Sequence, residues 1–317
     1  MTTLRRHVIP VAAALFALAI GIALGGGPLS YVSADDDVPS SSGGQEPDAV
    51  GAVVDPEPEP TEEPDPPAAG FADAFAAASA ARLYDKALRG HPTVIVSTPG
   101  VDAGLVESMV AQVAAAGGGL TGVYEITEQA VDRAEASLVD SLGSQLMTQL
   151  ADDRIDPAAP TYERLGQLLG VAVATPIKDG RRADAAAQTV RASLSTAGLL
   201  TGPGEARLAP LVLVLLPPHA EQEPEVAAAA VAVHAGLATG LRGNAAGAVL
   251  LGDTSSGEAG LLASLRGDAE VSSTVSTVDG GDTVVGQVTA MLALIASLEG
   301  TVGAFGASGA SGAVPIS

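Results

Sequence analysis

Residues 211–216 read LVLVLL, a run of aliphatic residues with no polar position. A strand that is apolar at every position is typical of a parallel sheet with helices on both faces. Similar short runs predict strands over 93–97 (TVIVS), 120–124, 248–251 and 273–277. Longer amphipathic stretches predict helices over 72–88, 103–116, 128–150, 161–169, 183–197, 224–241, 257–265 and 283–298. The alternation predicts βαβ units in a three-layer, Rossmann-like α/β domain with a mostly parallel sheet.

The charge balance and the missing cysteines exclude several function classes. The 317 residues include 15 Lys and Arg against 37 Asp and Glu, a net charge of −22, so no nucleic-acid partner is expected. Without Cys, the chain has no disulfide, thiolate nucleophile or Cys-ligated metal. The predicted α/β exported domain, 71–300, holds 13 basic and 26 acidic residues, and about 230 residues can bury one sizeable core or two small ones.

The N-terminal residues 1–34 predict a signal anchor, a single transmembrane helix in contact with membrane lipid. Residues 8–24 (VIPVAAALFALAIGIAL) are uncharged and nearly long enough to cross a bilayer. Arg5 and Arg6 precede them, so the N-terminus is expected to be cytoplasmic and the bulk of the chain exported. A cleaved signal peptide is the alternative, because residues 32–34 (VSA) suit a signal peptidase.

Two segments outside the globular part have the composition of unfolded chain. Residues 35–70 predict a disordered acidic linker, since eleven acidic residues and eight prolines lie between positions 35 and 67 without any Lys or Arg. A cation-collecting acidic segment is the alternative. Residues 301–317, rich in Gly, Ala and Ser, predict a flexible tail, in which Ser308 would lack the rigid mount that a nucleophile needs.

Candidate chemical groups are few. The string GGGLTG at 117–122 fits a dinucleotide motif, but it follows a predicted helix instead of a strand, which favours a helix cap. Ligands of open α/β sheets bind beyond the carboxyl ends of strands, where His219, Asp253 and Asp279 are expected. If their loops converge, these three are the candidates for a metal site or for the acid–base chemistry of a hydrolase or transferase. The alternative is an exposed histidine and two carboxylates that cap helices or turns.

Several segments together resemble the copper-transport outer-membrane protein (MctB) family of actinobacteria. The likeness covers about residues 1–27 and 82–306, and no single motif in it is a chemical signature. The segments are 4–7 (LRRH), 17–27 (ALAIGIALGGG), 82–88 (RLYDKAL), 94–99 (VIVSTP), 143–146 (GSQL), 166–172 (GQLLGVA), 248–252 (AVLLG), 276–279 (STVD) and 292–294 (LAL).

The resemblance implies a cell-envelope protein, not an enzyme, with a role in copper efflux, copper transport or pore formation. A homo-oligomer or an envelope protein partner is then expected, because one span cannot enclose a pore. No resident cofactor is predicted, and copper enters only through the resemblance. Copper prefers Cys, Met and His ligands, whereas the four Met residues here are scattered. A non-enzymatic envelope scaffold or protein-binding module without direct copper handling is the alternative.

Overall fold

The computed structural model describes residues 66–150, 153–204 and 206–315. The described residues from 71 onward belong to one compact unit, and residues 66–70 belong to a second unit. The predicted anchor over 1–34 and the linker as far as residue 65 lie outside the described residues. Residues 66–70, predicted as linker, are instead helical. Two prolines at the start of that helix are tolerated because a proline lacks only an N–H that the first turn leaves unpaired.

One sheet organises the described residues. Its strands run in the order β3-β2-β1-β4-β5-β6-β7, and every neighbouring pair is parallel except β2 and β3. The strands are β1 (Thr93–Ser97), β2 (Leu120–Ile126), β3 (Leu200–Thr201), β4 (Leu211–Leu215), β5 (Gly247–Leu251), β6 (Ser276–Val278) and β7 (Ala304–Phe305). Because the chain runs outward on both sides of the β1–β4 pair, a crevice is expected at the carboxyl ends of these two strands.

Helices cover both faces of the sheet, which confirms the α/β class and the mostly parallel sheet. The helices are α1 (Pro66–Leu83), α2 (Ala103–Ala115), α3 (Glu128–Val131), α4 (Ala136–Leu150), α5 (Thr161–Val173), α6 (Ala185–Thr196), α7 (Pro224–Gly243), α8 (Thr254–Glu258), α9 (Leu261–Arg266), α10 (Ala269–Thr274) and α11 (Val284–Ser297). Alternate strand residues point to opposite cores: Val212 and Val214 to one, Leu211, Leu213 and Leu215 to the other. Each fully buried aliphatic side chain contributes about 1.5–3 kcal/mol to this packing.

Three predicted elements differ in extent from the observed ones, and in each case an aspartate caps one of the observed helices. The helix predicted over 128–150 is divided where the Asp132 carboxylate accepts a hydrogen bond from Ala134 N and starts a 3-10 turn. The stretch predicted as a helix over 257–265 is divided between α8, which Asp253 caps and which ends at Glu258, and α9, which begins at Leu261. Asp268 caps α10, so the strand predicted over 273–277 begins only at Ser276.

The prediction of a flexible tail over 301–317 is wrong for the first half of this segment. Ala304 and Phe305 form β7, a parallel edge strand beside β6, and Phe305 is buried. Ser311 Oγ then accepts a hydrogen bond from Ala304 N at 3.0 Å. The Gly, Ala and Ser content of this segment gave a wrong prediction because tertiary contacts, and not local propensity, order these residues.

Helix α7 is the one described helix that is long and apolar enough to cross a membrane. Core helices of globular domains pass the same test, and α7 packs closely on α5 through glycines. A Cβ atom built on Gly240 would lie 2.1 Å from Glu163 O, and one on Gly166 would lie 2.5 Å from Leu237 O. The backbones of α5 and α7 therefore approach to a distance that leaves no room for a methyl group at either glycine, and α7 is part of the domain core.

Candidate functional site

The three residues predicted as a joint site lie at the same edge of the sheet. His219 follows β4, Asp253 follows β5 and Asp279 follows β6, at the carboxyl ends of neighbouring parallel strands. The strand order thus brings their loops together, as the sequence predicts for a Rossmann-like domain. Whether the side chains also share a site depends on what each one contacts.

Asp253 and His219 meet through the backbone and not through the imidazole. Asp253 Oδ1 accepts a hydrogen bond from Ser256 N at 2.7 Å, and Oδ2 accepts one from Ser255 Oγ at 2.8 Å. Ser255 Oγ in turn accepts a hydrogen bond from His219 N at 3.2 Å. The imidazole lies against Gly260, where a built Cβ atom would be 3.0 Å from Nδ1. Asp253 is therefore a helix cap that also ties two loops together.

Asp279 is held by partners from the C-terminal part of the chain. The residue is 1% exposed, and its Oδ2 atom lies 2.6 Å from Ser308 Oγ and 2.9 Å from Ser308 N. Its Oδ1 atom accepts a hydrogen bond from Arg266 Nη2 at 3.3 Å, and the same nitrogen donates to Phe305 O at 2.7 Å. Arg266 Nε also donates to Thr277 Oγ1. We call Arg266, Thr277, Asp279 and Ser308 the Asp279 cluster.

This geometry gives the two aspartates structural partners and does not bring His219, Asp253 and Asp279 into one ligand set. Across the described residues, no group of three His, Cys, Asp or Glu side chains could hold a metal ion. Ser308, predicted in a flexible tail, is instead fixed by a buried carboxylate and an arginine. A serine nucleophile is commonly activated by a histidine, and the Asp279 cluster contains none; its carboxylate, which accepts the Ser308 hydroxyl hydrogen bond, is ion-paired with Arg266.

The crevice beside β1 and β4 contains a buried histidine. His234 of α7 is 8% exposed; its Nδ1 atom lies 2.8 Å from Ala230 O, and its Nε2 atom has no hydrogen-bond partner among the described residues. Burial lowers the pKa of His234 from its ordinary value of 6.5, although the contact with Ala230 O opposes the shift. The adjoining cavity has a volume of about 10 Å³, with Thr98 and Val214 in its lining. That volume holds about one water molecule, so His234 is a core residue at a site too small for a ligand.

Comparison with known proteins places the chain in a family. A family model described as "Copper transport outer membrane protein, MctB" matches residues 1–316. The chain belongs to the MctB family. Two similar relatives are each named "Copper transporter MctB", one from Mycobacterium bovis (strain ATCC BAA-935 / AF2122/97) and one from Mycobacterium tuberculosis (strain ATCC 25618 / H37Rv). Each is 28% identical over 314 residues, which cover 92% of this chain and 92% of the relative.

The MctB family is described by copper transport and an outer-membrane location, and not by an enzymatic reaction, which supports an envelope location. Two segments on which the resemblance rests have structural tasks. Gly166 and Gly170 in the GQLLGVA segment allow the close approach of α7 to α5. Asp279 in the STVD segment anchors the residues around Ser308. In these two MctB-like segments, the glycines and the aspartate therefore have roles in packing and in anchoring the chain.

One charged site is not among the residues predicted from the sequence. Arg182, Arg191 and Arg207 line a common cavity near the start of α6. The only available signal was the density of arginines between positions 181 and 207 in a domain where acidic residues are twice as numerous as basic ones.

Proposed function

We propose that this chain takes part in copper transport at the cell envelope, as an exported α/β domain held to a membrane by its N-terminal apolar segment. The support is the family match over residues 1–316, together with relatives named as copper transporters. The uncharged residues 8–24 supply the anchor, and Arg5 and Arg6 on its N-terminal side favour export of the domain.

Copper passage on this proposal involves further copies of the chain or partner proteins. A single apolar helix cannot enclose a pore, because a pore needs several segments around a polar lumen. Met109 and Met291 pack in the hydrophobic core at 0% exposure, and His234 is buried as well. These thioether and imidazole groups, which copper prefers as ligands, thus serve packing in the folded domain.

Deletion of the gene in its own host tests this proposal. We expect cell-associated copper, measured by atomic absorption, to change when copper is added to the medium, and the full-length chain to restore the original content. A control chain keeps residues 25–317 and replaces residues 8–24 by an unrelated apolar span of equal length. It should restore copper content equally if that segment acts only as an anchor. Unchanged copper content in the deletion strain would overturn the proposal.

An envelope scaffold or protein-binding module is the second candidate, favoured by two exposed aromatic side chains. Phe71 is 71% exposed and Phe75 is 42% exposed, one turn apart on α1. Neighbouring exposed apolar residues are a feature of protein-binding surfaces. This candidate predicts that the deletion leaves copper content unchanged and weakens envelope integrity, and that a Phe71→Asp/Phe75→Asp chain fails to restore integrity. Restoration by that variant would exclude this surface.

A further inference from the structure

An open cavity of about 380 Å³ lies between the N-terminal turn of α6 and the segment that follows β3. Its volume falls in the range of small-molecule sites, roughly 300–1,000 Å³. We call it the arginine pocket. The lining residues are Arg182, Ala183, Gln188, Arg191, Ala206 and Arg207.

Arg191 is the buried member of the arginine pocket, at 3% exposure. Its Nη2 atom donates to Ala172 O at 2.5 Å and its Nη1 atom to Gly204 O at 2.9 Å, and the guanidinium carbon lies 5.6 Å from the centre of the Tyr124 ring. These partners are neutral, and among the described residues its buried Nε atom has no hydrogen-bond partner. A guanidinium stays protonated in proteins, so Arg191 holds a buried positive charge, and none of its contacts with described residues is to a carboxylate.

Arg182 and Arg207 add two exposed charges to the same cavity. Neither makes a hydrogen bond or an ion pair with any other described residue, whereas nearby Arg181 and Arg154 both pair with Asp184. The Asp184 carboxylate is thus already shared by two other arginines. Three cations that line one cavity repel each other, and an anion between them would relieve that repulsion.

The walls of the arginine pocket are fixed before any ligand arrives. Tyr124 Oη donates to Pro203 O at 3.1 Å, and Arg191 binds the carbonyl of Gly204 in the same segment. Gly202 adopts a φ of +157°, and a Cβ atom built there would lie 2.3 Å from the Tyr124 ring. The segment that carries Ala206 and Arg207 is therefore clamped against β2, and a pre-organised site loses less entropy when it binds.

We propose that the arginine pocket binds a phosphate-bearing anion. A phosphate group carries a charge of about −1.5 to −2 at neutral pH and offers three strong acceptor oxygens, which match three guanidinium groups. A single carboxylate carries one charge and two oxygens, and it would leave part of this positive charge unbalanced. The source is a free phosphate or phosphomonoester, or the headgroup of a phospholipid. The assignment rests on this geometry and is independent of the role in copper transport.

Binding to the full-length protein in an uncharged maltoside detergent tests the proposal. Calorimetric titration with inorganic phosphate is compared with titration by dioctanoyl phosphatidic acid, with dioctanoyl phosphatidylcholine as the lipid control. The Arg182→Gln/Arg207→Gln variant should weaken binding by at least about tenfold, because it removes two charge-assisted contacts from exposed positions that the fold does not need. The Arg82→Gln/Arg89→Gln variant has the same change in net charge away from the arginine pocket and should bind like wild type.

The results of these titrations distinguish a free phosphate from a phospholipid headgroup, and they also show whether the proposal is wrong. Saturable phosphate binding that is lost in the pocket variant supports a free anion, and binding of phosphatidic acid alone with the same loss supports a headgroup. Equal binding by both double variants, or no binding of either probe by wild type, would overturn the proposal. Glu205 lies outside the described residues; phosphate binding by Glu205→Gln but not by wild type would also overturn it, since the chain's own carboxylate would then fill the pocket.

Discussion

Arg266 and Arg191 are both buried arginines, but their surroundings differ. The Arg266 side chain is 11% exposed and contacts the fully buried carboxylate of Asp279 at 3.3 Å. Arg191 is 3% exposed, and its hydrogen-bond acceptors are backbone carbonyls, without any carboxylate among its described contacts. Within one domain, the charge of Arg266 is balanced by the Asp279 carboxylate, while the charge of Arg191 is left for a ligand.

The two regions also differ in what they hold together. The Asp279 cluster joins β6, α9 and the segment around Ser308, so it completes the edge of the sheet. The arginine pocket joins α6 to the segment after β3 and leaves an open cavity between them. A buried ion pair becomes costly when one partner is removed, because the other charge stays buried and uncompensated. We therefore expect substitutions at the two arginines to lower the free energy of unfolding by different amounts.

The largest effect is expected for Asp279→Ala. This change leaves the Arg266 guanidinium without its carboxylate and removes both hydrogen bonds to Ser308, so the free energy of unfolding should fall by about 3–5 kcal/mol. Urea denaturation followed by circular dichroism measures it. Asp253→Ala removes a helix cap and the hydrogen bond from Ser255 Oγ but leaves no buried charge unpaired, so it should cost only about 1 kcal/mol. The paired replacement Asp279→Leu/Arg266→Met should recover most of the loss, and equal losses in Asp279→Ala and Asp253→Ala would show that the ion pair is unimportant.

A smaller loss, about 2 kcal/mol, is expected for Arg191→Met. The substitution removes the donor from the carbonyls of Ala172, Gly204 and Ala206 and removes the contact with Tyr124, but it leaves no described carboxylate unpaired. Arg266→Met is the matched comparison and should cost more, since the Asp279 carboxylate would then be buried without its cation. Equal losses in the two variants would break the distinction between the paired and the unpaired arginine.

The sequence predicts the central strands well and the charged clusters poorly, for a physical reason. β1, β4 and β5 are buried at every position, so their composition alone indicates them. β7 has two residues in a Gly-rich segment, and its order depends on contacts with β6 and Asp279 that are formed only in the fold. The strand order correctly places the loops of His219, Asp253 and Asp279 at one edge. Their partners Arg266 and Ser308 could not be identified from local patterns, because neither lies in those loops.

The smallest effect on stability is expected from protonation of His234. This buried imidazole would then carry a positive charge, and its described contact is a backbone carbonyl and not a carboxylate. Burial lowers the pKa of His234 below the ordinary value of 6.5. Just below pH 6.5, the unfolded chain therefore binds a proton at this histidine that the folded chain does not bind. The free energy of unfolding should therefore decrease as the pH falls through 6.5 towards 5. His234→Phe should flatten this part of the profile, and the exposed His219→Gln should keep it. Identical profiles for wild type and His234→Phe would contradict the sign assigned to this group.

The most direct test of the difference between the two arginines observes both in one spectrum. The side-chain Nε–H signals of full-length protein in detergent can be recorded by ¹H–¹⁵N NMR and assigned from the signals that vanish in Arg191→Met and Arg266→Met. During titration with inorganic phosphate, the Arg191 signal should move to saturation, while the Arg266 signal stays in place. Equal movement of both signals, or movement of neither, would contradict the claim that the charge of Arg191 is left for a ligand.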